Sequence, residues 1–386
     1  MSMTPKERVR AVLNHEVPDR VPIVLGISNA TGIKMQTYRD IKKMIGIDAP
    51  DVPIYDWPEL GTAKVDEETL RRLNVDVRGV LDLEPETIRK RNKTRPPGAP
   101  YIDSWRTGQV KTEGGEWIIG PPPLRDIDSI EALEDYPWPD PDDPTRYAHI
   151  KSEVEELVTE NQYAIMGIPW LLFPFERAMA MQGMDQFLLN MAMKPDFARA
   201  LLEKLTDLCK DIMGHFLEEA GPYLDMVKIG DDLGTQESLL ISPKMYRDLL
   251  KPCHADLINF IKERTDAKVF FHTDGDVFNL IDDFIDIGID VLNPIQTSAG
   301  RMSDLESLKT RFGDRIVFCG AIDTHRVLPM GTAEDVENEV RRVINILGRD
   351  GGYMLSGVHT IMNDVPAKNV LAMVDAVKKY GHYPLG

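Results

Sequence analysis

The stretch VFFHTDGDVFNLIDDFIDIGIDVLN, residues 269–293, holds the pattern that decides the fold. It opens with a short apolar run, Val269–Phe271, of the kind that forms a buried strand. A segment with helical spacing comes next, and its apolar residues are Val277, Leu280, Ile281, Phe284 and Ile285. A second apolar run, Val291–Leu292, follows. A strand, a helix and another strand at this spacing predict two neighbouring strands of a parallel sheet.

The same unit recurs through the second half of the chain. Further apolar runs that end in polar or glycine residues are Ala164–Ile168, Met226–Ile229, Ile316–Phe318 and Tyr353–Leu355. Two earlier segments, Val21–Leu25 and one near Val75–Val80, raise the number of strands to about eight. We therefore predict an α/β fold whose strands close into a (β/α)8 TIM barrel. The chain contains no GxGxxG or P-loop sequence, which also disfavours an open nucleotide-binding sheet.

The barrel is expected to form a single domain over 1–386. Helical and loop elaborations are expected over 1–150, and regular strand–helix units over 160–386. The first helix is predicted to start with a capping box, in which Thr4 is the N-cap and Glu7 is its partner.

Composition and charge restrict the classes of function. The formal net charge of −18 disfavours nucleic acid and anionic membranes as partners. The three cysteines form no CxxC pair, which favours a reducing compartment over a disulfide framework. No apolar run approaches the roughly 20 residues that cross a bilayer, and the first residues do not resemble a signal peptide. We expect a cytoplasmic protein.

Residues that follow the predicted strands are the candidates for chemistry, because barrel active sites lie at the carboxyl ends of the strands. His272 and Asp274 follow one strand, and His359 follows the last. Two imidazoles and a carboxylate suit Zn and leave a coordination position for substrate. We predict these three residues as Zn ligands. The alternative is that each histidine only makes hydrogen bonds in the barrel mouth.

Two adjacent carboxylates, Asp231 and Asp232, follow the run Met226–Ile229. They repel each other unless a cation lies between them or one takes a proton. We predict that they are catalytic and orient the substrate or handle its proton. The alternative is that one caps a helix and the other is solvated.

Other polar or aromatic residues at strand ends are candidates for substrate binding. They are Asn29, Trp170, Asn293 and Gln296.

Four stretches of the chain resemble the uroporphyrinogen decarboxylase superfamily and occur in the order found there. They are TPKERVRAVLNHEVPDRVPI (4–23), DDLGTQESLLISPKMYRDLLKP (231–252), FFHTDGDVFNLIDDFIDIGIDVLNPIQ (270–296) and CGAIDTHRVLPMGTAEDVENEVRRVI (319–344). The resemblance implies a single-domain (β/α)8 barrel, often a homodimer, with its cleft at the carboxyl rim.

One chemistry of this superfamily is the decarboxylation of uroporphyrinogen without a metal. The resemblance places an Arg-Gln-Ala-Gly-Arg segment, which grips propionates, after the first Arg-x-Pro. Here Arg20-Val21-Pro22 leads into IVLGISNATG (23–32), which has no arginine. Substrate carboxylates buried without that clamp would be left unpaired, so we expect no activity on uroporphyrinogen.

The other chemistry is methyl transfer that depends on a corrinoid. The resembling enzymes bind Zn through His-x-Cys and a later Cys, and the matching positions here are His272, Asp274 and His359. Harder nitrogen and oxygen ligands suit an oxygen-containing substrate. The leading interpretation is a methyltransferase that moves a methyl group between a small methylated compound and a corrinoid held by a partner protein.

Two alternatives stay open. One is a related carboxy-lyase acting on another substrate, since Asp76 and Arg78 lie near the position of that family's catalytic aspartate and are candidates for substrate binding. The other is a metabolite-binding barrel without catalysis. Metal content separates the first interpretation from both alternatives, and turnover separates an enzyme from a sensor.

Overall fold

The computed structural model describes residues 2–54, 60–96, 98–111, 117–160, 162–169 and 173–385. The strands are β1 Val77–Leu81, β2 Tyr101–Ile102, β3 Gly108–Lys111, β4 Trp117–Ile119, β5 Ala164–Ile168, β6 Met226–Gly230, β7 Lys268–His272, β8 Val291–Asn293, β9 Val317–Ile322 and β10 Tyr353–Gly357. The α-helices are α1 Pro5–Leu13, α2 Met35–Ile45, α3 Glu67–Arg72, α4 Glu86–Lys93, α5 Ile130–Glu134, α6 Ile150–Glu160, α7 Pro174–Gln182, α8 Met184–Met193, α9 Pro195–Ala220, α10 Pro243–Met245, α11 Lys251–Lys262, α12 Ile281–Asp286, α13 Leu305–Phe312, α14 Val327–Met330, α15 Ala333–Leu347 and α16 Ala367–Tyr380.

Among the described residues, seven strands pair in parallel in the order β1-β5-β6-β7-β8-β9-β10. The predicted strand Val21–Leu25 lies between the two ends of this sheet. Ile23 forms a parallel bridge with Leu355 of β10, and its carbonyl accepts the N–H of Asp76 immediately before β1. This extended segment fills the eighth position and confirms the predicted (β/α)8 barrel.

Helices alternate with the strands because their apolar faces pack on the outside of the sheet. Helix α15 shows the pattern clearly, and its buried residues are Val336, Val340, Val343, Ile344 and Leu347. The predicted capping box of α1 is confirmed, since Thr4 accepts the N–H of Glu7 and the Glu7 carboxylate accepts the N–H of Thr4.

A small antiparallel sheet, β2-β3-β4, lies in the part of the chain expected to carry elaborations. Arg177 of α7 attaches the β2–β3 connection to the barrel by donating to Asp103 and Thr107, both at 2.9 Å. The same guanidinium stacks on Trp105, 4.6 Å from the ring centroid. This connection therefore lies against the first turn of the helix that follows β5.

All three cysteines are buried and free. Within the described ranges, no helix has both the length and the apolar character needed to cross a membrane.

Candidate metal centre

His272 ends β7 and is held by its neighbour on β8. Its Nδ1 lies 2.7 Å from Oδ1 of Asn293, while the Asn293 Nδ2 group donates to the carbonyl of Cys319. An amide oxygen can only accept, so Nδ1 of His272 carries the proton and donates it. Nε2 is thereby left with its lone pair, which is the form that binds a metal. Asn293 is fully buried and positions the histidine rather than meeting a substrate directly.

Asp274 and His359 complete a cluster with His272. One ligand atom from each residue lies within 4.8 Å of the other two. Nε2 of His359 is 3.8 Å from Oδ2 of Asp274, and the two imidazole centroids are 5.3 Å apart. Zn binds nitrogen and oxygen at about 2.0–2.2 Å, so small side-chain rotations would bring all three atoms to one ion.

The other carboxylate oxygen of Asp274 is direct support for a cation. Oδ1 is buried and has no hydrogen-bond partner among the described residues. A buried acceptor without a partner costs free energy, and a cation beside it would remove that cost. The donor set therefore fits a divalent metal with three protein ligands and one open position.

Burial sets the charge of the two histidines. It lowers the pKa of His272 to about 3, and the nearby ammonium of Lys228 adds to the effect. The pKa of His359 is also lowered to about 3, first by burial and then by His272. Both rings are neutral at neutral pH, as metal ligands must be.

The surroundings of Asp274 raise its pKa, whereas those of the two histidines lower theirs. Burial and then the neighbouring charge of Asp232 raise the pKa of Asp274 to about 7. A bound cation would favour the ionised carboxylate and oppose this shift.

The loop that carries Asp274 has little freedom. Gly275 has a φ of +87°, and a Cβ there would lie 2.2 Å from the backbone of Gly234, so only glycine fits. The N–H of Asp274 donates to Asp232 at 2.9 Å, and the N–H of Gly275 donates to Gln296 at 2.7 Å. Asp232 and Gln296 therefore hold this loop at the barrel mouth.

Asp231 differs from Asp232 in its contacts. It is fully buried and accepts the N–H groups of Phe175 and Glu176 in the first turn of α7, at 3.1 and 2.7 Å. It also lies 2.8 Å from Nε2 of His254 on α11. These contacts make Asp231 a helix cap, and they correct the expected catalytic role. Asp232 is partly exposed at the mouth and stays a candidate.

The structure does not bring Asp76 and Arg78 to the mouth. Asp76 lies before β1, at the opposite end of the barrel, and is fully buried between Arg8 and Arg20. Arg78 pairs with Glu67 and stacks on an aromatic ring. Their charges are neutralised by structural ion pairs, so we withdraw the substrate-binding role expected of both.

Asn29 lies beside the loop of His359. Its carbonyl accepts a hydrogen bond from Thr360, and its Oδ1 accepts one from Thr62 at 3.3 Å. It stays a candidate for substrate binding. Trp170 lies outside the described residues.

A cleft of about 530 Å³ opens next to the cluster, a size typical of small-molecule sites. Its lining residues are Gly234, Thr235, Gln236, Asp274, Gly275, Gln296, Thr324, His325, Val358, His359, Thr360 and Met362. Polar groups from several strand ends and two of the candidate ligands therefore face one solvent-accessible space.

Two charged residues of the barrel interior were not predicted from the sequence. Lys228 lies in the middle of β6, and Glu176 lies in the first turn of α7. Burial and the charge of Asp232 raise the pKa of Glu176 well above its usual range, while burial lowers that of Lys228. A single lysine inside the apolar run MVKIG was the signal that could have identified the first of them.

Fold and site together define a (β/α)8-barrel protein with a polar, ligand-rich mouth. The chain matches the model of the uroporphyrinogen decarboxylase (URO-D) family over residues 109–380, which is most of its length. It belongs to that family, as the resemblance predicted.

Several relatives share this family at low identity. The uroporphyrinogen decarboxylase of Pseudoalteromonas atlantica is 23% identical over 269 residues, which cover 68% of this chain and 71% of that protein. The uroporphyrinogen decarboxylase of Coxiella burnetii is 24% identical over 221 residues, covering 55% of this chain and 56% of that protein. A methyltransferase from Methanosarcina mazei superposes with a TM-score of 0.68 at 18% identity, over 98% of this chain and 99% of the other. At that identity the superposition shows a common fold.

Proposed function

We propose that this protein is a Zn-dependent methyltransferase that moves a methyl group between a small O-methylated compound and a corrinoid on a partner protein. The observation that carries the proposal is the cluster of His272, Asp274 and His359, in which one buried Asp274 oxygen has no partner among the described residues. A cytoplasmic location and a homodimeric assembly remain expectations that accompany it.

The chemistry required at the mouth matches the groups that lie there. When bound, Zn supplies Lewis acidity at a substrate oxygen. Loss of a methyl group leaves an electron pair on that oxygen, and a proton must balance it. Asp232 lies beside the Asp274 loop and is partly exposed, so it can hold or deliver this proton. Asn293 keeps His272 in its ligand form.

Metal content is the decisive measurement. Protein purified without added metal or chelator should contain about one Zn per chain, because ligand atoms from three residues lie within 4.8 Å of one another. His272→Ala should lose the metal. His325→Ala is the matched control, since His325 lines the same cleft but lies outside the cluster. Wild-type protein that holds no metal and takes up none on titration with Zn would refute the metal centre.

Turnover tests the second half of the proposal. Zn-loaded protein should demethylate a methoxylated compound in the presence of cob(I)alamin, and His272→Ala should not. A protein that binds Zn and methoxylated compounds but shows no transfer would be a binding barrel.

A carboxy-lyase acting on another substrate is the second candidate, and the names of the curated relatives favour it. The position of Asp76 at the opposite end of the barrel counts against a shared catalytic aspartate there. The absence of arginine from residues 23–32 counts against uroporphyrinogen itself. Formation of coproporphyrinogen well above background would favour the lyase.

A further inference from the structure

We propose that Lys228 binds an anionic oxygen group of the substrate, and that the substrates are methylated compounds that carry a carboxylate. This inference rests on the proposed function, because it places the methylated oxygen at the metal centre. It concerns the far end of the same substrate.

Strand register shows that the Lys228 side chain points into the barrel interior, on the same face of the sheet as His272. Lys228 pairs with Phe270 in the β6–β7 ladder, and Gly230 pairs with His272. Residues two apart on a strand project to the same face, as do register partners on parallel strands. Lys228 therefore lies on the face of His272, about 7 Å deeper along the strand. Its flexible stem can raise the ammonium toward the mouth.

The ammonium has no direct partner in the part of the chain that the structure describes. The Lys228 side chain makes no hydrogen bond there and no ion pair within 4.0 Å, while Glu176, Asp232 and Asp274 act on it only at longer range. Other interior cations are paired, as Arg8 is with Asp76. Lys228 is half-buried, and a cation in such a position without a direct partner can pair with an anionic ligand that enters the mouth.

The balance of charge in the metal-loaded mouth favours the same ligand. The candidate metal ligands bring one carboxylate, Asp274, and two imidazoles, so a divalent cation keeps a net positive charge there. The ammonium of Lys228 adds a positive charge to the same barrel interior. One positive charge inside a low-dielectric cleft is matched by one carboxylate. A single ring or short chain would join the methylated oxygen at the metal centre to a carboxylate that Lys228 binds deeper in the barrel.

Binding to Zn-loaded protein without corrinoid tests the inference independently of methyl transfer. Calorimetry would compare para-methoxybenzoate and methoxyacetate with the neutral para-methoxybenzyl alcohol and methoxyethanol. Wild-type protein should bind at least one carboxylate more tightly than its neutral counterpart. Lys228→Met should weaken the binding of that carboxylate by roughly tenfold to a hundredfold and leave the affinity for the neutral compound unchanged. Lys228→Arg should retain most of the affinity.

Lys268→Met is the control, because Lys268 lies at the outer start of the neighbouring strand and contacts Asp290. Thermal melts and Zn content would confirm that each variant is folded and loaded, and Lys228→Gln replaces the methionine variant if that one fails to fold. Equal weakening of charged and neutral compounds, or no preference for any carboxylate in the wild type, would overturn the assignment. Carboxylate preference without turnover would instead refute only the methyl transfer.

Discussion

Asn293 shows how one amide determines what a histidine can do. The Asn293 Oδ1 accepts the Nδ1 proton of His272. Removal of the Asn293 amide should therefore leave the imidazole free to rotate and to change tautomer. Asn293→Ala should therefore weaken Zn binding by roughly 10–100-fold, as is usual for such supporting hydrogen bonds. Competition with a chelator would measure this.

Thr297→Ala is a suitable control for that measurement. Thr297 lies shortly after β8 and donates to the backbone carbonyl of Ala321, which is not one of the three candidate ligands. If Asn293→Ala bound Zn as tightly as this control, the positioning role of Asn293 would be refuted.

Glu84 gives a pH-dependent prediction outside the site. It is 5% exposed, and burial followed by the nearby charge of Asp103 outweighs Arg146 and raises its pKa to about 7. The unfolded chain releases this proton near pH 4.5, so between these values the folded protein binds more protons. The stability that depends on protonated Glu84 is thus full below about pH 4.5 and lost as pH rises through about 7.

Glu84→Gln should remove this loss. At pH 8 the free energy of unfolding of the variant should exceed that of wild type by on the order of 1–3 kcal/mol, and at pH 5 by little or nothing. Urea unfolding at both pH values would measure the difference. Glu86→Gln is the control, because Glu86 is exposed and pairs with Lys90 in its own helix. A gain that is equal at both pH values would contradict the prediction.

The limits of sequence reasoning are visible at adjacent residues. The three candidate ligands could be proposed because the sequence shows both the residue types and the ends of the strands. The sequence does not show which of Asp231 and Asp232 faces the mouth. Successive residues point in opposite directions, and which one points inward depends on where the strand ends. Lys228 was missed because its importance depends on strand register.

At the scale of elements, three aspartates repeat one device at the amino end of the barrel. Each of them directly precedes a strand and accepts an N–H at 2.7–2.8 Å. Asp225 and Asp290 accept it from β5 and β7, and Asp76 accepts it from Ile23 of the closing segment. Their sequence contexts, VDV, LDM and IDV, are alike. This repetition is a signal in the sequence that Asp76 is structural, in place of the substrate-binding role predicted for it.

Helix α7 depends on a carboxylate from another element. Asp231 accepts two N–H groups of its first turn and contacts His254, so Asp231→Ala would leave several buried donors without a partner. We expect a loss of about 3 kcal/mol or more in the free energy of unfolding. Chemical denaturation would measure it.

Asp232→Asn provides the matched comparison one residue away. Asp232 is partly exposed, so its substitution should cost roughly 1 kcal/mol or less in stability and about 100-fold or more in turnover. If Asp232→Asn were the destabilised variant and kept its turnover per folded molecule, Asp232 would be a structural residue and its proposed role would be withdrawn.

At the scale of the whole molecule, the sequence was informative about the barrel and uninformative about its elaboration. Strand–helix units with long apolar faces can be recognised in the sequence. Each apolar run predicted from residue 164 onward overlaps a strand from β5 to β10. The sheet β2-β3-β4 was not predicted, because strands of two to four residues carry too little periodicity. Segment 21–25 was predicted as a strand and closes the barrel by isolated bridges instead of a regular ladder.

That closure gives a test which separates the two candidate functions. Asp76 joins α1, the closing segment and β1, because it accepts hydrogen bonds from Arg8, Arg20 and the N–H of Ile23. Asp76→Ala would remove the carboxylate that pairs with Arg20 and one of the two that pair with Arg8, which keeps Asp19. We expect a loss of about 3–5 kcal/mol in the free energy of unfolding.

The metal centre lies at the other end of the barrel, so folded Asp76→Ala protein should keep its Zn content and its affinity for methoxylated compounds. Unfolding curves, metal analysis and turnover per folded molecule on one preparation would measure all three quantities. Asp225→Ala is the control, since Asp225 holds Ile165 by the same device with one arginine, Arg10, which is more than half exposed. Asp225→Ala should lower the free energy of unfolding by less than Asp76→Ala does. A lyase that used Asp76 as its catalytic aspartate would show the reverse, with near-normal stability and abolished turnover, and that outcome would overturn both the structural role of Asp76 and the methyltransferase proposal.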